Sequence, residues 1–447
     1  MNSQIKLDYL FYIGGFMNSI DSQVSRRTLI GAILVFMVDM YDVYAPLIFL
    51  APAMEYFLPK TIPVNKLMVY YGFMFAVALI GRPIGAWIFG YFTDKIGRKK
   101  VTTIVVSGFS IMMLLIALLP GYSALGDFSV FLFILFRLIT GLFLGGGYTS
   151  AIPLAIENAP SDKRGLYAGF INTGYPLAFI IVSVSTLILL SVFTKSFYMV
   201  YGWRIPFIIG LFLGLLAVFY TKKLVPESIL WEKAQSRGEK TILSDLFKGK
   251  NFTNLLQIFI LSIGMVIGIV GVASTMSIIY IKSLHLTSFL ATEVILFSYA
   301  VLIIMVILGG WLSDKIGRKK AILIYGFLLM IVSPTLYYLI INGLYKNRLL
   351  LFLFSAIIVT ISSLPVTVLL VYINERFKTS IRASGYAIGY STPFLIVGFF
   401  SYYQKLLSHI VPFEFTQLIL ISFAGLLWII GILLGPETKD VDLDKIR

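Results

Sequence analysis

The chain has 447 residues, of which 59% are apolar and only 13% charged, with a formal net charge of +15. So many apolar residues and so few charges cannot clothe a water-soluble surface, so most of the outer surface must face lipid. Cys is absent and His occurs twice, at His285 and His409, which excludes disulfides and thiolate metal sites and leaves too few imidazoles for a histidine-based one. The positive charge lies in short clusters between apolar runs, the pattern of loops held beside anionic lipid rather than of a nucleic-acid surface. No cleavable signal peptide is predicted, because the leading residues are mixed polar, with no small-residue cleavage site after an apolar core.

A bilayer core of ~30 Å is crossed by ~20 residues of apolar helix. Taken in chain order, twelve stretches qualify: 28–54, 67–92, 101–119, 128–156, 166–190, 203–224, 253–281, 290–312, 320–342, 349–374, 383–407 and 416–435. The tenth is the weakest, since it holds Ser362, Ser363 and Pro365. The longest interruption, 225–252, is charged and partly amphipathic and reads as a linker between two bundles, 1–224 and 253–447. The expectation is an all-α membrane protein of twelve transmembrane helices in two six-helix bundles. With the N-terminus inside, the inner segments carry 26 Lys and Arg and the outer segments seven, which predicts that both termini are cytoplasmic.

The sequence also repeats itself. GYFTDKIGRKK at 90–100 returns as GWLSDKIGRKK at 310–320, an offset of 220. Glu157 and Arg164 answer to Glu375 and Arg382 at an offset of 218, and Pro226-Glu227-Ser228 answers to Pro436-Glu437-Thr438 at 210. Four features in one order near one offset indicate duplication, and an even number of helices per half makes the halves parallel repeats. Every repeated element falls on the predicted cytoplasmic face. Asp94 and Asp314 can cap the N-terminus of a helix in the opposite half, with Gly90 and Gly310 allowing close backbone approach. Arg98, Arg318, Glu157, Glu375, Arg164, Arg382, Glu227 and Glu437 are expected to complete charge networks within each half, so that the clusters form a cytoplasmic gate. The competing reading is ordinary topology-fixing loop charge.

These residues resemble the major facilitator superfamily. Its signature G-x-x-x-D-[RK]-x-G-[RK]-[RK] is matched at Gly90, Asp94, Lys95, Gly97, Arg98 and Lys99, and again at Gly310, Asp314, Lys315, Gly317, Arg318 and Lys319. The Pro-Glu-Ser and Pro-Glu-Thr-Lys elements are similar to those of sugar-porter-type members in the broad sense. Within the superfamily the chain resembles the metabolite:proton symporter branch through Arg82-Pro83-Ile84-Gly85 and Asp39-Met40-Tyr41-Asp42. It also resembles that branch through Arg137-x-x-x-Gly141-x-x-x-Gly145-Gly146-Gly147-Tyr148, Gly174-Tyr175-Pro176-Leu177 and Arg382-x-x-Gly385-x-x-x-Gly389-Tyr390. It departs where that branch usually has Glu and this chain has Gly147, and where it often has Gln and this chain has Thr140. Sugar carriers of the superfamily use paired Gln in the seventh helix and a Gln in the fifth. Here there are Gln257, and Asn172 with Thr173, so a hexose is disfavoured.

Four charges fall inside predicted spans: Asp39, Asp42, Arg82 and Arg137. An ionisable residue at mid-bilayer costs roughly 2.5–3.5 kcal/mol on insertion scales and is a functional candidate by default. All four sit in the first half, and the positions 218–220 residues on carry no charge and, apart from Gln257, are apolar or small. Charges tied to the shared fold would have been duplicated like the signature, so these four point to chemistry unique to one half. The competing reading is two structural ion pairs that aid insertion. Asp39, Asp42 and Arg137 are the proton-coupling candidates, and Arg82 is the candidate holder of an anionic substrate group. Asn172, Tyr175, Gln257, Tyr299, Tyr372, Asn374, Tyr386 and Tyr390 are the further substrate-binding candidates. No metal-ligand cluster, phosphate loop or nucleophile–base pair is present at a usable spacing, so neither an enzyme nor a cofactor is predicted. The expectation is a monomeric multi-pass protein of the cell membrane that moves a small organic acid or zwitterion by proton symport. The alternatives are an uncoupled facilitator, a sugar uniporter or a proton-driven exporter.

Overall fold

The computed structural model describes residues 23–59, 64–397 and 400–446. The leading residues, which bear on the signal-peptide expectation, and Lys60 and Arg447 lie outside them. Among the described residues there are helices and turns and no strand. The main helices are α1 (Gln23–Ala45), α2 (Val64–Ile96), α3 (Arg98–Leu118), α4 (Asp127–Glu157), α5 (Arg164–Asn172) and α6 (Gly174–Val192). They continue as α7 (Arg204–Leu224), α8 (Ile229–Ser236), α9 (Gly249–Ile278), α10 (Ser288–Ile316), α11 (Arg318–Phe327) and α12 (Ser333–Ile341). The last are α13 (Arg348–Asn374), α14 (Arg382–Ser391), α15 (Pro393–Val397), α16 (Phe400–Leu407) and α17 (Phe413–Leu433).

Ten helical runs among the described residues are long and apolar enough to cross a membrane, α5 with α6 and α11 with α12 each counting as one. The 33-residue α2 and the interrupted run α14–α16 complete twelve crossings. Large apolar side chains such as Leu118, Phe212, Phe219, Ile304 and Leu349 remain exposed on the outside, the surface that lipid covers.

Three of the predicted spans are interrupted. The first predicted span ends as a regular helix at Ala45, followed by a π turn Pro46–Leu50 and a 3-10 turn Ala51–Tyr56. Pro46 has no N–H to give the carbonyl four residues back, so one bond of the α ladder is missing where the helix gives way to the π turn. The eleventh span, predicted as one helix over 383–407, is interrupted at Thr392, directly before Pro393. The fifth is interrupted at Thr173. By contrast, α13 runs unbroken through Ser362, Ser363 and Pro365.

Glycines set the closest packing. A Cβ on Gly81 would sit 2.6 Å from the Leu138 carbonyl oxygen, and one on Gly145 would overlap the Arg82 carbonyl. This is small-xxx-small packing, with Gly81 and Gly85 on α2 facing Gly141 and Gly145 on α4. It presses the backbone around Arg82 against α4, one turn from Tyr148. Gly97 and Gly317, at φ 110° and 97°, make the turns between α2 and α3 and between α10 and α11, where a side chain would be strained.

Candidate functional site

The repeated motifs gather on one face of the molecule, where the two halves meet. The Asp94 carboxylate, near the end of α2, accepts from the backbone N–H of Ala383 at 3.1 Å and of Ser384 at 2.8 Å, in the first turn of α14. The Ser384 hydroxyl donates to the same carboxylate at 2.7 Å. In the second copy, Asp314 on α10 accepts from the N–H of Gly165 at 2.8 Å and of Leu166 at 2.7 Å, in the first turn of α5. Each helix N-terminus presents unpaired N–H groups and a positive dipole end, so an acidic cap from the opposite half satisfies both. Gly90 and Gly310 make room. A Cβ on Gly90 would lie 2.6 Å from the Ala387 Cβ, and one on Gly310 would lie 3.0 Å from the Gly169 Cα.

The arginines do not stay within their own halves, contrary to expectation. Glu157 is bound by Arg98 at 3.2 Å from its own half and by Arg382 at 2.5 Å from the other. The Ser228 hydroxyl also donates to it. Arg98 additionally donates to the Thr379 carbonyl across the interface at 2.7 Å. Glu375 takes Arg318 at 3.4 Å from its own half and Arg164 at 3.8 Å from the other. The physical reason is proximity: capping brings α5 and α14 onto the opposite half and carries Arg164 and Arg382 with them. Glu227 and Glu437 also depart from expectation, because neither forms an arginine pair among the described residues. Glu227 accepts from the N–H of Arg98 at 3.0 Å and of Lys99 at 3.1 Å, capping α3. Glu437 does the same for Arg318 at 2.8 Å and Lys319 at 3.0 Å, capping α11. Burial raises the Glu227 carboxyl above its ordinary range, although these N–H groups oppose that shift.

The C-terminal tail joins this face, which the residue pattern did not foretell. The Val441 carbonyl accepts from Arg164 at 2.7 Å and the Leu443 carbonyl from Arg382 at 3.0 Å. Asp444 is held by both terminal nitrogens of Arg237, each at 2.8 Å.

Deeper in, the four unduplicated charges form two buried pairs. Arg82 donates to Asp39 at 2.9 Å and Arg137 to Asp42 at 2.6 Å, all at most 2% exposed. Asp39 and Asp42, three residues apart on α1, thus turn to different partners. Arg82 lies twelve residues from Asp94, about 18 Å along α2. Arg137 lies twenty residues from Glu157, about 30 Å along α4 and close to the opposite face. Neither pair is saturated. Asp39 Oδ1, Asp42 Oδ2, Arg82 Nε and Arg137 Nε have no hydrogen-bond partner among the described residues.

The Arg82 pair faces a cluster of aromatic rings. Its guanidinium is 5.1 Å from the Tyr148 ring centroid and 5.7 Å from that of Phe394. Tyr148 shares a 2.6 Å hydrogen bond with the Ser391 hydroxyl of the opposite half. Tyr390 lies 5.4 Å from Tyr148 and 5.1 Å from Tyr386, centroid to centroid. The Tyr386 hydroxyl has no partner among the described residues. Charges from the first half and tyrosines from the second therefore meet in one cluster. Tyr148, quoted only as the end of the motif that starts at Arg137, and Ser391 and Phe394 are not among the site residues expected from the sequence. The run Gly145-Gly146-Gly147-Tyr148 is the signal that could have found Tyr148.

The other candidates divide. Asn172 donates to the Thr367 hydroxyl across the halves at 2.8 Å. Tyr175 and Tyr299 share a 2.9 Å hydrogen bond, also across the halves, and Phe179 stacks on Tyr299 at 4.0 Å. Tyr44 packs on all three rings. These residues hold the halves together where the structure closes. Gln257, Tyr372 and Asn374 are corrected: they lie at the motif-face end of the second half and not beside Arg82. Gln257 donates to the Tyr372 hydroxyl at 2.9 Å and to the Gly431 carbonyl at 3.0 Å. Tyr372 donates to the Pro436 carbonyl at 3.1 Å, and Asn374 to the Leu370 carbonyl at 2.7 Å within its own helix. Gln257 sits eight residues into α9 and Tyr372 two before the end of α13, which puts both toward the motif-face ends of their helices. Among the described residues no group of three or more His, Asp or Glu could hold a metal ion.

Comparison with known proteins places this geometry. The Major Facilitator Superfamily family model matches residues 28–401. The chain is 28% identical over 384 residues to the inner membrane metabolite transport protein YhjE of Escherichia coli (strain K12), covering 83% of this chain and 84% of that protein. Its fold superposes on that of the proton:xylose symporter XylE bound to 6-bromo-6-deoxy-D-glucose with a TM-score of 0.77 at 19% identity, covering 95% and 99% of the two chains. It superposes on the human organic anion transporter MFSD10 with a TM-score of 0.69 at 12% identity, covering 92% and 99%. The chain belongs to the major facilitator superfamily, as a multi-pass cell-membrane transporter of small solutes and not an enzyme.

Proposed function

We propose that this transporter carries a small organic acid or zwitterion inward together with a proton, by alternating access between two bundles, 1–224 and 253–447, joined by the linker 225–252. The observation that carries the reading is the pair of buried, unduplicated Asp–Arg contacts in the first half, each with a carboxylate oxygen and a guanidinium N–H that have no partner among the described residues. A buried ion pair with excellent geometry roughly offsets its own desolvation, but loss of either charge leaves the other strongly unfavourable. Protonation of Asp42 frees Arg137, and the balance between closed and open arrangements shifts. Arg82, held by Asp39 through a single contact, can exchange that carboxylate for one on the solute.

In this reading the motif face is cytoplasmic and closed. The acidic caps on α5 and α14 and the arginine pairs across the interface hold it shut, and they must break for the solute to leave inward. Opposing rigid bundles around a central site is how transporters built from repeats work in general. Flux into proteoliposomes with and without an imposed pH gradient tests the reading. Uptake that follows the gradient in the wild type and ignores it in Asp42→Asn supports coupling. Uptake indifferent to the gradient in both makes the protein a facilitator.

A further inference from the structure

We infer that Arg376, in the turn that follows α13, holds the phosphate of an anionic phospholipid against the second half, at a site apart from the solute and the gate. Only the choice of leaflet, the cytoplasmic one, rests on the orientation proposed above. Arg376 Nη2 donates to the side-chain oxygens of Asn254 and, at 3.2 Å, of Gln257, both on α9. The guanidinium lies 5.8 Å from the Tyr372 ring centroid. All three partners are neutral, and among the described residues no carboxylate forms an ion pair with Arg376. The buried arginines elsewhere do reach one, as Arg137 reaches Asp42 and Arg382 reaches Glu157. Asp245, in the linker turn before α9, is taken by Lys378 at 3.4 Å. Both bonds of the Arg376 side chain use Nη2, Nε has no partner among the described residues, and the residue is only partly buried. The Nη1 edge is therefore left for an anion from outside. Burial lowers the pKa of Arg376, with only Tyr372 opposing, so the charged form is stabilised by any anion that arrives.

The fold does not need a cation here, as the first half shows. The Ser25 hydroxyl donates to the Asn158 carbonyl at 2.8 Å, just as the Asn254 amide donates to the Arg376 carbonyl at 3.0 Å. Asn158 follows Glu157 as Arg376 follows Glu375, so the same join is made in one half without charge and in the other with it. The surroundings favour a lipid over a free anion. Lys250 is exposed on α9 four residues before Asn254, hence on the same face of that helix. Phe252 and Leu256, also four apart on α9, are exposed, as are Leu433 and Leu434 at the end of α17. Gln257 ties these two helix ends together through the Gly431 carbonyl. Acyl chains can lie along the apolar residues while the phosphate meets Arg376 and Lys250. A basic site between helix ends at the membrane edge is how headgroups are held, and a guanidinium matches two phosphate oxygens at once.

The test uses the purified full-length chain in neutral detergent, with bound lipid counted by native mass spectrometry. Dioleoyl phosphatidylglycerol is compared with dioleoyl phosphatidylcholine, which has the same chains and no net charge. The wild type is expected to hold the anionic lipid about tenfold or more tighter. Arg376→Gln should weaken that binding about tenfold or more, and Lys250→Gln, an exposed change that spares the fold, about fivefold. Arg348→Gln, an equal loss of charge at the other end of α13, should bind as the wild type does. Glycerol 3-phosphate, the headgroup chemistry without chains, should not displace the lipid. Equal binding of the two lipids, unchanged binding in either Arg376→Gln or Lys250→Gln, or an equal loss in Arg348→Gln overturns the proposal. Displacement by glycerol 3-phosphate at matched concentration makes this a site for a soluble anion and overturns the lipid assignment. None of these readouts involves transport, so failure of the solute or coupling reading leaves them standing. The leaflet is read separately, since the chain has no native Cys. An impermeant maleimide should label Lys250→Cys only in opened cells, and labelling in intact cells would overturn the orientation alone.

Discussion

The Asp94 carboxylate and the Ser384 backbone N–H, 290 residues apart in sequence, meet at 2.8 Å across the two halves. Asp314 and Leu166 make the pseudo-equivalent contact at 2.7 Å. Each joins the signature motif of one half to the first turn of a helix in the other, so closure of this face rests on two caps of the same design.

Asp94→Asn keeps an acceptor but loses the charge, weakening contacts to a charged group worth about 1.5–3 kcal/mol in full. The face should open more often by about fivefold to tenfold. The chain has no native Cys, so Ser313→Cys, fully buried against Gly165, makes a clean reporter. Its alkylation rate should rise in the Asp94→Asn background. An unchanged rate would show that the caps do not govern closure.

Gly310 and Gly147 form a matched pair. A Cβ at Gly310 would run into the Gly165 and Gly169 backbone of the opposite half, whereas one at Gly147 meets its nearest neighbour, Val35, at 3.6 Å. Gly310→Ala should cut flux about tenfold or more without loss of membrane insertion, because the halves can no longer close. Gly147→Ala should remain within about twofold of wild type, an ordinary van der Waals contact costing little. Initial rates in proteoliposomes decide both.

Asp42→Leu leaves Arg137 buried and unpaired, which should lower stability by about 3–5 kcal/mol. Adding Arg137→Met removes the stranded charge and should restore most of the loss. Thermal unfolding in detergent checks the pair, and failure of the double variant to recover would mean that the two residues are not coupled.

Removing residues 441–447 deletes the carbonyls that Arg164 and Arg382 use, together with the Asp444 partner of Arg237. Alkylation of Ser313→Cys should speed up about threefold to tenfold, since bonds to charged donors are lost from each half. Arg237→Ala removes only a half-exposed pair and should leave the alkylation rate close to that of Ser313→Cys alone. If the single substitution matched the truncation, the carbonyl contacts would carry no weight.

Much of this protein was legible as residue pattern. Apolar runs of bilayer length announced the helices, and the repeat of Asp94–Arg98 as Asp314–Arg318 announced the duplicated halves. The four intramembrane charges stood out because lipid makes such residues costly. What could not be read was which groups meet. Gln257 and Tyr372 looked like cavity residues until their depth along α9 and α13 placed them at the motif face. The Pro393 break in the eleventh span was overrun because apolarity continues through it.

The residue order by itself determined the membrane class, the repeat and the identity of the charged residues, because each depends on side-chain type and local spacing. The tertiary structure alone decided that Glu157 serves Arg382 as well as Arg98, that Tyr148 leans on Ser391, and that the tail carbonyls of Val441 and Leu443 hold arginines. Those partners lie in the other half or are backbone groups. A backbone N–H or carbonyl is the same at nearly every residue, so only its position in space makes it a partner.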